Sequence, residues 1–184
     1  FVSLFIGFST LGLNSIVIRE LIKSPENRNV FLGTAFCLKL AGSLLIFPFL
    51  FLAIFFTGND FYTNTLLFII AFGTIFQSFD VIDFYFQSKV LSKNVVFAKF
   101  IALVLSSVIK IILILKGAPL IYFVFVIVLD SIVLAAGLIY FYLRQKLSLL
   151  KWKFNKKIAI AFLKDSWPIF FSSLVIVVYM KIDQ

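Results

Sequence analysis

Apolar runs of membrane-spanning length recur along the whole sequence, and they constrain the fold more than any other feature. A run of about 18 or more apolar residues is long enough for an α-helix to cross a bilayer. Hydrophobic residues make up 62% of the chain, whereas soluble globular proteins contain roughly 45 to 50%. We therefore predict an all-α fold, a polytopic helical membrane protein with about six transmembrane helices.

The six predicted spans are called A to F in chain order. Their ranges are 1–18, 30–56, 64–91, 95–115, 119–143 and 160–184. Turn-forming Pro, Gly and Asn residues separate the first five. Within the last range a helix start is predicted at Ser166, with this serine as the N-cap and Pro168 in the first turn. Because the chain begins without Met and both of its ends are apolar, we expect it to be part of a longer protein.

Basic residues alternate between the loops in a pattern that predicts the orientation. After spans A to E, the loops contain 3, 0, 2, 1 and 7 Lys and Arg residues. Cytoplasmic loops of membrane proteins are enriched in these residues. The loops after spans A, C and E are therefore predicted to be cytoplasmic. The same rule explains the net charge of +9, so no nucleic-acid partner is expected.

The basic segment 151–164, just before span F, interleaves lysines with aromatic and aliphatic side chains. One interpretation is an amphipathic segment that lies in the membrane interface and leads into span F. The other is a solvated basic loop that orients the neighbouring helices. The sequence leaves both open.

Residue types that carry most hydrolytic and metal chemistry are scarce in this chain. His is absent, which removes the commonest general base and metal ligand. Cys37 is the only cysteine and lies in an apolar run, so neither a disulfide framework nor a thiolate metal site is predicted. We expect no metal, no cofactor and no enzymatic activity.

Several ionisable residues fall inside predicted spans, where a charge is costly and each one is a functional hypothesis. Lys39 lies roughly 13 Å into span B and Asp130 roughly 16 Å into span E, at about 1.5 Å of rise per residue. Lys110 lies roughly 22 Å along span D. We predict that these three side chains line one hydrophilic cavity. A buried ion pair between Lys39 and Asp130 is the structural alternative.

Spans C and D each carry a polar face. The stripe on span C consists of Gln77, Asp80, Asp83 and Gln87. These four positions fall within about 120° of arc on a helix. On span D, Lys99, Ser106 and Lys110 are predicted to share one face. For Lys99, a structural ion pair or a side chain that snorkels to the interface is an equal alternative.

Three stretches of the chain resemble a known family of transporters. They are GLNSIVIREL at 12–21, FDVIDFYFQSK at 79–89, and SWP at 166–168 followed by YMKIDQ at 179–184. Together they resemble the bacterial O-antigen and polysaccharide flippases of the multidrug, oligosaccharidyl-lipid and polysaccharide exporter superfamily. The resemblance implies twelve or more helices in two lobes around a central cavity. Residues 1–159 would then form most of the N-terminal lobe, and residues 160–184 the first helix of the second lobe.

The resemblance also implies a function. It is the transfer of an undecaprenyl-diphosphate-linked oligosaccharide across the bacterial cytoplasmic (inner) membrane, for O-antigen, lipopolysaccharide or capsule synthesis. A diphosphate needs cations in a wet cavity, and the candidates are Lys39, Lys110 and Lys181, with Lys99 at the inner entrance. The acidic residues expected to bind a coupling ion or to balance these charges are Asp80, Asp83, Asp130 and Asp183. The expected partners are the lipid bilayer, the lipid-linked oligosaccharide and a polysaccharide polymerase.

Three other function classes remain open at this stage. The first is an exporter of drugs or of a peptidoglycan precursor from the same superfamily. The second is a membrane glycosyltransferase or acyltransferase, but transfer chemistry needs positioned acids or bases. The loop after span B offers only Asp60, and the loop after span D has no carboxylate. The third is a structural membrane subunit, which would not need charges near the midplane.

Overall fold

The computed structural model describes residues 13–58 and 60–182, and these residues are helical apart from short loops. The helices are α1 (Leu13–Lys23), α2 (Arg28–Thr57), α3 (Phe61–Phe76), α4 (Val81–Ser88), α5 (Ser92–Leu115), α6 (Leu120–Arg144) and α7 (Lys156–Ile182). Short 3-10 turns lie at Pro25–Asn27, Gln77–Asp80 and Leu149–Lys151. The predicted all-α fold is confirmed for this part of the chain.

Four of the described helical segments are long and apolar enough to cross a membrane. They are Pro25–Phe56, Phe61–Ser88, Ser92–Leu115 and Leu120–Arg144, which coincide with predicted spans B to E. Most of predicted span A lies outside the described residues. Large apolar side chains such as Phe55, Phe100 and Leu115 are exposed along these helices. Such an apolar exterior is what lipid requires of a helical bundle, and the chain is a multi-pass membrane protein.

Span C is one membrane-length segment with a break in its helix. The α-helical hydrogen bonding of α3 stops at Phe76, a 3-10 turn covers Gln77–Asp80, and α4 resumes at Val81. A 3-10 turn inside a longer helix often marks a hinge. The break falls on the polar stripe that the sequence places on this span, so it changes the direction in which the stripe's carboxylates point.

A buried core joins α1, α2, α4 and α6 with the beginning of α5. Leu13 of α1, Leu32 of α2, Phe86 of α4 and Leu138 of α6 are all fully buried in it. Phe162 of α7 packs against the same core. The most extensive helix contacts are those of α6 with α5 and with α3. The core therefore holds α4, the second half of span C, against α1, α2, α5 and α6, whereas α3, the first half, packs against α2 and α6.

Helix α7 begins ten residues before the predicted start at Ser166, and that prediction is wrong. The N-cap is Asn155, whose Oδ1 accepts hydrogen bonds from the backbone N–H of Lys157 at 2.9 Å and of Ile158 at 3.4 Å. An asparagine oxygen at this position satisfies the free N–H groups of the first turn. Ser166 is buried inside α7, where its hydroxyl donates to the carbonyl of Leu163. Pro168 also lies inside this helix.

The segment that precedes α7, residues 149–155, packs onto α2 and is called the strap below. Its Lys153 N–H donates to the carbonyl of Asn29 at 3.0 Å, and the N–H of Asn155 donates to Thr34 Oγ1 at 3.1 Å. Gly33 permits this approach, because a Cβ at that position would lie 2.7 Å from the Lys153 nitrogen. The strap is thus a packed element, which neither sequence interpretation of residues 151–164 included.

Two helices end in the same backbone motif with different residues at the left-handed position. At the end of α4, Leu91 N–H donates to the carbonyl of Phe86 at 2.8 Å, and Val90 has φ 57°. After α5, the corresponding residue is Gly117, with φ 61°. Glycine tolerates this conformation, whereas a β-branched residue is strained in it. The end of α4 therefore carries backbone strain that the end of α5 avoids.

Candidate functional site

Lys39 on α2 is buried among helices, with 3% of its surface exposed. Its Nζ lies 3.7 Å from Oδ2 of Asp80, at the end of the 3-10 turn, and 5.3 Å from the centre of the Phe84 ring. The carboxylate and the ring face both stabilise a buried ammonium group. The ion-pair partner of Lys39 is thus Asp80, and the alternative pairing with Asp130 does not form.

Asp83, one turn beyond Asp80, turns towards α5. Its Oδ2 accepts a hydrogen bond from Lys99 Nζ at 2.9 Å, and its Oδ1 accepts one from Gln87 Nε2 at 2.9 Å. Asp83 is 8% exposed, whereas 55% of the Lys99 side chain is exposed. For Lys99, the structure therefore contains the ion pair that the sequence analysis named as an alternative.

The charged cluster consists of Lys39, Asp80, Asp83 and Lys99. It contains two cations and two anions, so it is neutral when all four groups are ionised. Pairing of this kind is the usual condition for a charge to remain in a span. The cluster connects spans B, C and D, with both carboxylates supplied by the region of the helix break.

A cavity of about 400 Å³ lies between α5 and α6 next to this cluster, and it is called the α5–α6 cavity below. Its lining consists of Lys99, Ala102, Leu103, Ser106, Ser107, Lys110, Asp130 and Leu134. Lys99, Ser106 and Lys110 line it together because seven and four residues bring helical positions back to nearly the same face. Lys99 belongs to both the charged cluster and the cavity, so the two are continuous.

Six of the eight predicted site residues lie in two adjoining regions, the charged cluster and the α5–α6 cavity. The side chains of the other two lie outside the described residues. Lys99, Lys110 and Asp130 line the α5–α6 cavity, whereas Lys39 belongs to the cluster and is not among the lining residues. Asp80 and Asp83 also belong to the cluster. Lys181 is in α7, but its side chain lies outside the described residues, and so does Asp183. The binding roles of all eight residues remain predictions.

Two contacts at the site were not found from the sequence. Ser107 lines the cavity beside Ser106, and only the serine on the lysine face was singled out beforehand. Phe84 is an apolar residue on the arc of the polar stripe, and its ring faces the ammonium of Lys39. A Lys and an aromatic residue on different spans give no local signal, because their depth and rotation depend on helix packing.

The donors of the α5–α6 cavity suit an oxygen-rich anionic ligand. Each lysine ammonium offers three N–H donors, and each serine hydroxyl both donates and accepts hydrogen bonds. Lys110 forms no ion pair within the described part of the chain. Phosphate oxygens and sugar hydroxyls are the groups that such donors bind well. In the described residues, no group of three or more His, Cys, Asp or Glu side chains is arranged to hold a metal ion.

Comparison with known proteins adds one finding to this geometry. The chain matches no curated protein and no solved structure. The model of one family, described as polysaccharide biosynthesis protein, matches residues 1–184, which is the whole chain. Together with the multi-pass helical architecture, this match shows that the chain belongs to the polysaccharide biosynthesis protein family.

Proposed function

We propose that this protein is a flippase that moves undecaprenyl-diphosphate-linked oligosaccharides across the bacterial inner membrane for O-antigen or capsular polysaccharide synthesis. The observation that carries the proposal is the α5–α6 cavity, where Lys99 and Lys110 face a common space between two membrane-spanning helices. Membership of the polysaccharide biosynthesis family supports the substrate class. The task is transport rather than catalysis.

The cations of the cavity have a distinct role in this proposal. A diphosphate loses most of its hydration when it leaves the interface, and lysine ammonium groups replace the lost interactions with charge-assisted hydrogen bonds. Ser106 and Ser107 add hydroxyl groups that bind phosphate or sugar oxygens. Asp130 limits the net positive charge, so that the anion is held weakly enough to leave on the other side.

The break in span C supplies a bend for alternating access in this proposal. Transporters commonly use interrupted helices near the midplane. The turn at Gln77–Asp80 lies between two helical segments. Asp80, at the end of the turn, pairs with Lys39 of α2, and Asp83, in the first turn of α4, pairs with Lys99 of α5. A change in either ion pair would alter the angle between α3 and α4. Asp80 and Asp83 are therefore the proposed positions for ion coupling, and Asp183 and Lys181 are further candidates from the sequence.

The proposed orientation follows from the charge count. The strap and the loops after spans A and C face the cytoplasm, and span F starts the second lobe at about residue 160. The lipid-linked unit then enters from the strap side and leaves into the outer leaflet. A polysaccharide polymerase that receives the unit there is a proposed partner.

The test is complementation of a flippase-null strain by the full-length protein with substitutions at Lys110. Lys110→Arg should keep part of the surface polysaccharide, because arginine also presents a cation to phosphate. Lys110→Gln should abolish it. The matched control is Lys116→Gln, which removes the same charge from the exposed end of the same helix and should leave polysaccharide unchanged.

All values are normalised to the amount of protein in the membrane. Wild-type polysaccharide per molecule of the Lys110→Gln variant would contradict the proposed role of the cavity. Equal losses in Lys110→Gln and Lys116→Gln would also contradict it, because the effect would then follow net charge rather than position.

A further inference from the structure

A second cavity lies beneath the strap and is chemically unlike the α5–α6 cavity. Its volume is about 380 Å³, and it is called the strap pocket below. Its lining consists of Gly33, Phe36, Cys37, Phe79, Leu149, Trp152 and Phe154. None of these side chains is charged. A volume in this range is typical of small-molecule sites, which are usually lined by apolar and aromatic groups.

The walls of the strap pocket are held in place by aromatic contacts and hydrogen bonds. The Phe36 ring lies 5.4 Å from that of Trp152 and 5.0 Å from that of Phe79, measured between centroids. Trp152 Nε1 donates to the hydroxyl of Tyr142 at 3.1 Å. Phe79 belongs to the 3-10 turn of span C, so the pocket lies between the strap and the helix break.

The depth of the pocket matches the outer part of the lipid acyl chains. Gly33 and Cys37 lie roughly 7 and 13 Å along α2 from Arg28, at about 1.5 Å per residue. The headgroup region on each side of a bilayer is roughly 5 to 8 Å thick. A ligand in the pocket would therefore have its apolar part below the headgroups of the leaflet on the strap side.

Exposed lysines lie next in the sequence to the strap residues that line the pocket. They are Lys151, Lys153, Lys156 and Lys157, and all four are exposed. Residues 145–158 contain no Asp or Glu, and within the described residues none of these lysines forms an ion pair. Lys151 and Lys153 thus alternate with Trp152 and Phe154 of the pocket lining, and Lys156 and Lys157 follow in the first turn of α7.

We propose that the strap pocket binds an anionic glycerophospholipid from the leaflet on the strap side. One acyl chain occupies the pocket, and the phosphate of the headgroup lies against the lysines of the strap. The charge of the lysines selects an anionic headgroup over a zwitterionic one, because each Lys or Arg near a membrane surface favours anionic lipid. This site is separate from the proposed transport cavity, and its occupant stays bound rather than crossing the membrane.

Fluorescence quenching of Trp152 tests the proposal in the reconstituted full-length protein, with Trp152 as the only tryptophan left. Phosphatidylglycerol with brominated acyl chains is titrated into vesicles of phosphatidylcholine and compared with brominated phosphatidylcholine. Quenching by brominated phosphatidylglycerol should saturate at a mole fraction on the order of twentyfold lower than quenching by brominated phosphatidylcholine. This figure assumes that each of two nearby lysines, Lys151 and Lys153, raises the affinity for the anionic lipid about fivefold.

Two variants separate the headgroup contact from the acyl-chain contact. Lys151→Gln with Lys153→Gln should remove the preference for phosphatidylglycerol. Lys89→Gln with Lys93→Gln, a matched loss of two charges at the junction of spans C and D, should keep it. Cys37→Phe fills the pocket and leaves every lysine in place. It should abolish the saturable quenching.

Three results would overturn the proposal. One is identical quenching by the two brominated lipids at every mole fraction. Another is saturable quenching that persists in Cys37→Phe, because attraction by the lysines alone would then account for it. The third is relief of quenching by undecaprenyl phosphate at a lower mole fraction than by unlabelled phosphatidylglycerol, which would identify the transported class of lipid as the occupant.

Discussion

The ion pair between Lys39 and Asp80 predicts that a double substitution is less harmful than its two single substitutions added together. The perturbations are Lys39→Met, which keeps the length and apolar stem of the side chain, and Asp80→Asn, which keeps its shape. Asp80→Asn leaves a buried ammonium without its counterion, and breaking a buried pair in this way typically costs about 3 to 5 kcal/mol. In the double variant neither charge remains to be compensated.

The expected coupling free energy follows from the distance and the exposure of the pair. At 3.7 Å between Lys39 Nζ and Asp80 Oδ2, the Coulomb energy is about 4.5 kcal/mol for an effective dielectric constant of about 20. The Lys39 side chain is 4% exposed, but that of Asp80 is 37% exposed, so solvent screens part of this attraction. We expect a measured coupling of about 2 to 3 kcal/mol.

The assay is reversible unfolding in mixed detergent micelles, followed by circular dichroism for the wild type, both single variants and the double variant. The control cycle uses Arg19 and Asp165, which join α1 to α7. Their N–O distance is shorter, 3.0 Å, but about half of each side chain is exposed. The control coupling should be close to zero. A Lys39–Asp80 coupling no larger than that of the control pair would refute the reasoning that burial outweighs distance here.

Three further predictions concern a strained helix end, a helix cap and the orientation. Val90→Gly should stabilise the protein by about 1 kcal/mol in thermal unfolding, because glycine removes the strain at φ 57°, whereas Gly117→Val should destabilise it; a neutral Val90→Gly would contradict the strain. Asp60 is the N-cap of α3, and a hydrogen bond from Thr63 holds the pKa of its carboxyl below the ordinary value of 3.8. The stabilisation by this cap is therefore fully present above pH 3.8 and is lost as the pH falls through the lowered pKa. Asp60→Asn should remove the contribution of the cap to the acid dependence of unfolding. An acid-unfolding profile that is unchanged in this variant would contradict the prediction. In a background without the native cysteine, Ala118→Cys should react with an impermeant thiol reagent in intact cells and Ser148→Cys should not, so labelling of position 148 would overturn the orientation.

Residue type and spacing were sufficient to predict spans B to E but only part of the candidate site. Apolar runs locate spans B to E because lipid requires each spanning segment to satisfy its own backbone hydrogen bonds. The shared face of Lys99, Ser106 and Lys110 was also predictable, since helical periodicity places residues of one helix relative to each other. The partner of Lys39 was not predictable, because both Asp80 and Asp130 lie in spans of suitable depth.

The amino-acid sequence by itself determined that this chain is an all-α, multi-pass membrane protein and which faces of its helices are polar. Hydrophobic length and helical period are local properties, so they can be derived from the sequence without knowledge of the packing. Only the tertiary structure decided that Lys39 pairs with Asp80 and that the strap packs against Gly33. Each of these depends on the rotation and depth of one element relative to another, which close packing between distant segments sets and no local pattern encodes.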